Sequence, residues 1–429
     1  MGIGQRLQEI REGFEPAFWV ANGTELFERL SYYGVYAVLA IYLHETLSLT
    51  EARAGDLIGF FGGVVWFLPI FGGALADRFG FRRSLAFAYL VLALGYFLLG
   101  SLGATWMAPL RDRIPLDRLV LLILIVPALG PAIVKPCIVG TTARTSKENV
   151  RSIGYSIYYT LVNVGGTLGP FMAFLVRRTI GIENVFRVAA LSVFLMFFAV
   201  LLFFREPTRS GEQAVSSVAQ ALRNFFLVLR NGRFMLFLVI FSGFWVVFWQ
   251  EFIALPLFVR GYVDPNADID LILITDAATV IALQLAVSYL TRKIPAFRAM
   301  TLGFLITSCA WLILAFHPSV LTAVLALVVV ALGEITQQPR FYEYVSRLAP
   351  PGQQGTYMGF SFLPIAIGNL IAGVIGGRLV HYFGAVQHQP QRVWWVISAI
   401  GLAATLLMWL YDRIVKPGET PPTPANRRA

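Results

Sequence analysis

The sequence predicts an all-α membrane protein of twelve transmembrane helices arranged as two six-helix halves. Three observations carry that prediction. Of 429 residues, 57% are apolar and only 14% charged, more apolar surface than a water-soluble chain of this size can bury. The apolar residues fall in runs of about 20 to 25, the length that crosses a hydrocarbon core of about 30 Å. One longer polar stretch, 205–233, follows the sixth run and divides the chain. Twelve spans leave too few residues for a separate soluble domain. Composition therefore excludes a cytosolic enzyme, a nucleic-acid-binding domain and a secreted disulfide scaffold. The net charge of +10 reads as cytoplasmic loop charge rather than a surface for nucleic acid.

The spans fall at 17–43, 54–76, 84–107, 118–142, 152–176, 184–204, 234–259, 269–291, 298–316, 320–346, 356–384 and 392–412. Helices are required because lipid cannot satisfy backbone polar groups. A barrel would need alternating strands of about ten residues, half the length of these runs. Span one is interrupted by Glu25, Glu28 and Arg29, which argues against a cleavable signal peptide. Span two contains Trp66 and leads into a glycine-rich loop. Span four holds Lys135 beside Pro136. Span five carries Tyr158, Tyr159, Asn163 and the small-residue run GGTLG at 165–169. Spans seven, eight and ten hold Glu251, Asp276 and Glu334. Span eleven has GVIGG at 373–377, a second face suited to close helix packing.

Twenty-one of the 34 Lys and Arg residues fall on the N-terminal side, ten on the opposite side, and Arg29, Lys135 and Arg340 lie inside spans. That bias places both chain ends in the cytoplasm. The organisation is then a cytoplasmic segment 1–16, a bundle 17–204, a cytoplasmic linker 205–233, a bundle 234–412 and a disordered cytoplasmic tail 413–429. Residues 214–230 read equally well as an amphipathic surface helix or a plain linker. Cys137 and Cys309 lie in separate apolar runs, and no Cys/His cluster suggests a metal. No cofactor is expected beyond protons as the coupling ion. His44, His317, His381 and His388 read as ordinary residues near span ends. The expected setting is a bacterial inner membrane, with lipid around a monomer.

GGALADRFGFRRS (72–84), between spans two and three, resembles the loop signature of the major facilitator superfamily, with Gly72, Asp77, Gly80, Arg82 and Arg83 in place. Asp77 is suited to capping or meeting a neighbouring helix end, and Gly80 to a tight turn. Arg82 and Arg83 anchor the cytoplasmic side. The motif implies that superfamily's fold and a conformational role, and says nothing of cargo.

Ionisable residues inside spans cost about 2.5 to 3.5 kcal/mol each on the lenient insertion scale. Glu25, Glu28 and Arg29 share one helical face. Two acids beside one base need a proton or another cation. Lys135 completes a neutral set, and this reads either as a static salt-bridge cluster or as a proton switch. In the switch, a cargo anion pairs with Arg29 and Lys135, and a displaced Glu25 or Glu28 takes up a proton. Glu251, Asp276 and Glu334 have no base on their own spans. Cations in one half and acids in the other suit a zwitterion. Asp276 could instead sit near the outer mouth, and Arg340 with Glu343 could close a gate. Tyr32, Tyr33, Tyr36, Tyr158, Tyr159 and Asn163 could line a wet cavity or pack between helices.

The residues also resemble the proton-dependent oligopeptide transporters. ELFERLSYYG (25–34) is similar to that family's ExxERFxYYG, and YYTLVNVGGTLGP (158–170) to its FYxxINxGSL. IVKPC (133–137), GEITQQPRFYEYVSRLAP (333–350) and MGFSFLPIAIGNLIAG (358–373) resemble its elements in spans four, ten and eleven. The resemblance implies that Glu25, Glu28 and Arg29 couple protons. It implies that Arg29 and Lys135 meet a cargo carboxylate and Glu334 its amino group. Tyr33 and Asn163 match cavity positions. Four departures alter the pocket wall: Trp66 stands where a Tyr is usual, Cys137 for Asn, Ser361 for Trp, and Asp276 near an Asn. The linker also has no room for the two extra helices usual in bacterial members.

The expected function is a proton-coupled symporter importing a small molecule, a di- or tripeptide or analogue, by alternating access. The candidate cargo-binding set is Arg29, Tyr33, Trp66, Lys135, Asn163, Glu251, Asp276, Glu334 and Ser361. The alternative is a proton-coupled carrier of another metabolite or drug, exporters included. No nucleophile–base pair in the spans suggests an enzyme.

Overall fold

The computed structural model describes residues 13–207, 218–348 and 354–415. Nearly all of them are helical. Span one is Pro16–Ile41, extended through Tyr42–Thr46; span two is Glu51–Phe67 followed by Pro69–Phe79; span three is Phe81–Gly100. Spans four to six are Leu116–Thr145, Arg151–Ile180 and Glu183–Phe203. Span seven is Gly232–Phe248, a tight turn Trp249–Glu251, and Ala254–Phe258 running on to Val263. Spans eight to ten are Ile269–Thr291, Ala296–Phe316 and Val320–Leu348. Span eleven is Gln354–Phe360 and Leu363–Val380, extended to Val386, and span twelve is Arg392–Val415. Eleven of these are long and apolar enough to cross a membrane. Span one has the length but buries Glu25, Glu28 and Arg29.

Span three ends at Gly100, short of the expected 107. Gly103, Pro109 and Pro115 follow it, and the chain forms a short turn at Thr105–Met107 instead. The linker contains a helix, Val218–Leu229, within the stretch that read two ways. The expected disordered tail from 416, and the Ala349–Pro350 end of the span-ten element, lie outside the described residues.

Spans one to six pack chiefly on one another, and so do seven to twelve. The halves meet along two main seams, span two on eleven and span five on eight. Glycine makes the first seam. A Cβ added to Gly55 would sit 2.6 Å from the Gly373 carbonyl oxygen, and one on Gly59 2.7 Å from the Gly373 Cα. Small residues let helix backbones approach this closely where lipid gives no hydrophobic drive to associate.

Alternation of the spans puts the loops at 79–81, 145–151, 203–232 and 291–296 on one face, here the linker face. The loops at 46–51, 100–116, 180–183, 263–269 and 386–392 share the far face. On the linker face, Phe225 of the linker helix stacks on Phe360 of span eleven, with ring centroids 5.0 Å apart. The same ring meets Phe71 of span two at 5.2 Å.

Candidate functional site: a charged interior between two helical halves

The Arg29 guanidinium is buried beside both acids of its own helix. Its Nε donates to Glu28 Oε2 and lies 3.4 Å from Glu25 Oε1. The set is incomplete: both Glu25 oxygens, Glu28 Oε1 and Arg29 Nη2 are buried without a hydrogen-bond partner. Leaving such groups unmet is expensive, so a site of this kind is poised for a further partner. Gly165 and Gly169 of span five press on this turn. A Cβ at Gly165 would lie 3.2 Å from the Arg29 backbone carbonyl carbon.

Lys135 stands within electrostatic reach of Glu25, Glu28 and Arg29, yet it forms no ion pair among the described residues. Its ammonium instead lies 3.5 Å from the centroid of the Trp66 ring and 5.7 Å from that of Phe362 in span eleven. The indole Nε1 of Trp66 is buried and unpartnered.

In the second half Glu251, Asp276 and Glu334 lie within electrostatic range of one another, with no base paired to any of them among the described residues. Glu251 is wholly buried with both oxygens unmet, at the tight turn that interrupts span seven. Trp311 Nε1 donates to the Val247 carbonyl just before that break, 3.2 Å away. Asp276 belongs to this acidic group rather than to the far mouth. Tyr33 of span one and Tyr159 of span five are both in range of Asp276 and Glu334, joining the halves.

Asn163 donates to the Tyr159 carbonyl one turn back, and Ser361 is fully buried and donates to Met358 O. Both side chains are engaged by their own helices. At the bend before Leu363 the same Met358 carbonyl also accepts from the Ser361 amide at 3.2 Å. Arg340 pairs with Glu343 at 3.0 Å on the same helix and donates to Thr291 O of span eight, so this pair does not join the halves.

In the motif loop, Gly80 has φ +85°, a conformation that L side chains resist. A Cβ at Gly72 would run into the Ala132 carbonyl of span four. The start of span three is capped by Glu206, after span six. Its two oxygens accept from the Phe81 and Arg82 amides at 2.7 and 2.8 Å, at the positive end of span three. The side chain of Asp77 lies outside the described residues. Glu206 was not singled out by sequence; its one signal is an acid placed directly after a span.

Sequence reading also missed the far-face ion pairs. Arg177 of span five donates to Asp270 Oδ2 and Asp268 Oδ1, both at 2.8 Å. Arg260 reaches Glu45 at 2.7 Å, Arg378 pairs with Asp56, and His381 meets Glu51 at 3.2 Å. Each joins one half to the other. Among the described residues every ion pair that does so lies on the far face, so the halves are clasped there.

Twelve antiparallel helices in two packed halves, with charge held between them, define an integral membrane transporter. The sequence matches the Major Facilitator Superfamily profile over residues 24–363 and again over 265–429, and the chain belongs to that superfamily. Its fold is that of transporters rather than enzymes. The chain is 24% identical over 382 residues to a multidrug resistance protein MdtH of Aeromonas hydrophila, covering 84% of this chain and 89% of that one. Among solved structures, it resembles a POT family transporter bound to a thioalcohol-conjugated peptide, with TM-score 0.76 and 17% identity over 92% and 96% of the two chains. A peptide transporter POT bound to sulfate is similar at TM-score 0.72 and 20% identity, over 93% and 94%.

Proposed function

We propose that this chain is a proton-coupled transporter of small zwitterions, peptides or peptide-like molecules, working by alternating access. One arrangement carries the reading. Arg29 and Lys135 stand in one half, Asp276 and Glu334 in the other, and Tyr33 bridges them. A carboxylate would settle on Lys135 and Arg29, and an amine on the acidic group. When the carboxylate takes Arg29, Glu25 or Glu28 loses its counter-ion, and a proton takes its place. Proton uptake and cargo binding are thereby linked. The linker face is the cytoplasm, in keeping with its arginines. The far-face clasp then gives a state closed to the outside. The peptide conjugate bound in one of the two POT structures supports the cargo class.

The test is uptake of a broad peptide mixture into proteoliposomes with an imposed inward proton gradient. Gradient-dependent accumulation is expected, and its absence for every peptide overturns the cargo assignment.

A second reading, proton-coupled efflux of cationic drugs, is favoured by one observation. Three acids without a base lie near a wall of Trp66, Trp249, Phe252 and Tyr36, an apolar and anionic surface fit for lipophilic cations. The MdtH relatives point the same way. Thermal-shift screening of peptides against lipophilic amines separates the two.

A further inference from the structure

The motif loop borders a cavity of about 740 Å³ on the linker face. Arg78, Arg82 and Arg83 line it. All three are exposed, and none pairs with a carboxylate among the described residues. Among the described residues the acid in the wall is Glu206, which spends both oxygens on the backbone amides of Phe81 and Arg82. Arg82 Nη2 donates to the Leu201 carbonyl, which holds its guanidinium in the wall. Arg78 lies over the Phe79 ring at 5.4 Å, and Arg83 makes no hydrogen bond among the described residues. Three guanidinium groups therefore line a shaped space, and among the described residues no carboxylate pairs with them. Of the lining residues Phe79 is 54% exposed, and Leu202 and Phe203, which follow the lining residue Leu201 at the end of span six, are 72% and 65% exposed.

We propose that this cavity binds the phosphate of an anionic phospholipid headgroup. Guanidinium forks match phosphate oxygens two at a time. A free inorganic phosphate would satisfy the arginines equally well, but it would leave Phe79, Leu202 and Phe203 unused. Phe79 lines the cavity and the other two end span six next to its Leu201, an apolar border for the glycerol and upper acyl chains of a lipid. Basic residues at a cytoplasmic membrane surface draw such headgroups. The bound lipid bridges the ends of spans two, three and six, and so braces the turn at Gly80. The inference does not depend on the cargo.

The experiment is native mass spectrometry of the full chain in detergent. It is titrated with phosphatidylglycerol, with phosphatidylcholine, and with phosphatidylglycerol in excess inorganic phosphate. Phosphatidylglycerol is expected to bind at least tenfold tighter than phosphatidylcholine and to resist displacement by phosphate. Arg83→Gln should weaken it about fivefold, the equivalent of about 1 kcal/mol per arginine near a membrane surface. Arg83→Lys should recover most of that loss. Arg223→Gln, on the linker helix outside the cavity, should change nothing. Arg83 is exposed and makes no hydrogen bond among the described residues, so its variants are expected to keep the fold, which a monodisperse elution profile verifies. Equal binding of the two lipids, or full affinity in Arg83→Gln, overturns the site. Displacement by phosphate overturns the lipid as its occupant.

Discussion

Lys135 rests its ammonium on the face of Trp66, 3.5 Å from the ring centroid, rather than on the carboxylates of Glu25 and Glu28 nearby. A π face holds a cation without neutralising it, so the charge stays available to an incoming anion.

Lys135→Gln is therefore expected to cut cargo binding at least tenfold, while Trp66→Ala costs about 2- to 30-fold, from a cation–π contact of about 0.5 to 2 kcal/mol. Trp66→Phe should lie between wild type and Trp66→Ala. Equilibrium binding to the purified protein measures all three. Equal affinity across the series would mean that the ammonium does not meet cargo.

Glu28→Gln removes a carboxylate that holds Arg29. Proton-driven accumulation should be lost, while exchange of cargo across the membrane continues. Counterflow and gradient-driven uptake in the same vesicles separate the two. Normal accumulation would remove this turn from the coupling mechanism.

The far-face clasp has a defined acid limit. Arg178 first, with Arg177 adding and burial opposing, holds the Asp268 carboxyl below its ordinary value. When the clasp opens, Asp268 returns towards that ordinary value of about 3.9. The closed state thus binds fewer protons, and its advantage is complete above the ordinary value and lost as pH falls through the lower one. Distances between spin labels across the far face should stay constant from about pH 8 to 5 and lengthen only below about pH 4. Asp268→Asn should lengthen them at every pH. Arg177→Gln should do so more strongly. It strands Asp270, 1% exposed, at a cost of about 3 kcal/mol.

Phe225→Ala should loosen the linker face, since its ring spans Phe71 and Phe360. Labels on the linker-face ends of spans two and eleven are expected to move apart, with far-face distances unchanged.

The fold was legible because hydrophobic run length is a local property, and a membrane allows few other structures. The charged residues inside spans were legible for the same reason, since their cost sets them apart. What the sequence concealed depends on geometry between distant segments. Glu206 caps a helix 125 residues away in sequence, and Arg177 finds Asp270 across the two halves. The interruption of span seven at Glu251 was not read from the sequence, although Pro256, in the first turn of the helix that resumes at Ala254, has no N–H for the carbonyl of Phe252. That the Ser361 hydroxyl turns back to the Met358 carbonyl was not legible either, because a match of residue types carries no information on where a hydroxyl points.

The seam of Gly55, Gly59 and Gly373 has a mechanical consequence. Where these three meet, the helices have no side chains to interlock and no rotamer to reset; further towards the linker face, Asn369 and Leu370 seat against Gly62 and Gly63 and are the teeth to clear. Such a joint works as a bearing at its far-face end, where the ionic clasps at the rim supply the resistance to unlatching.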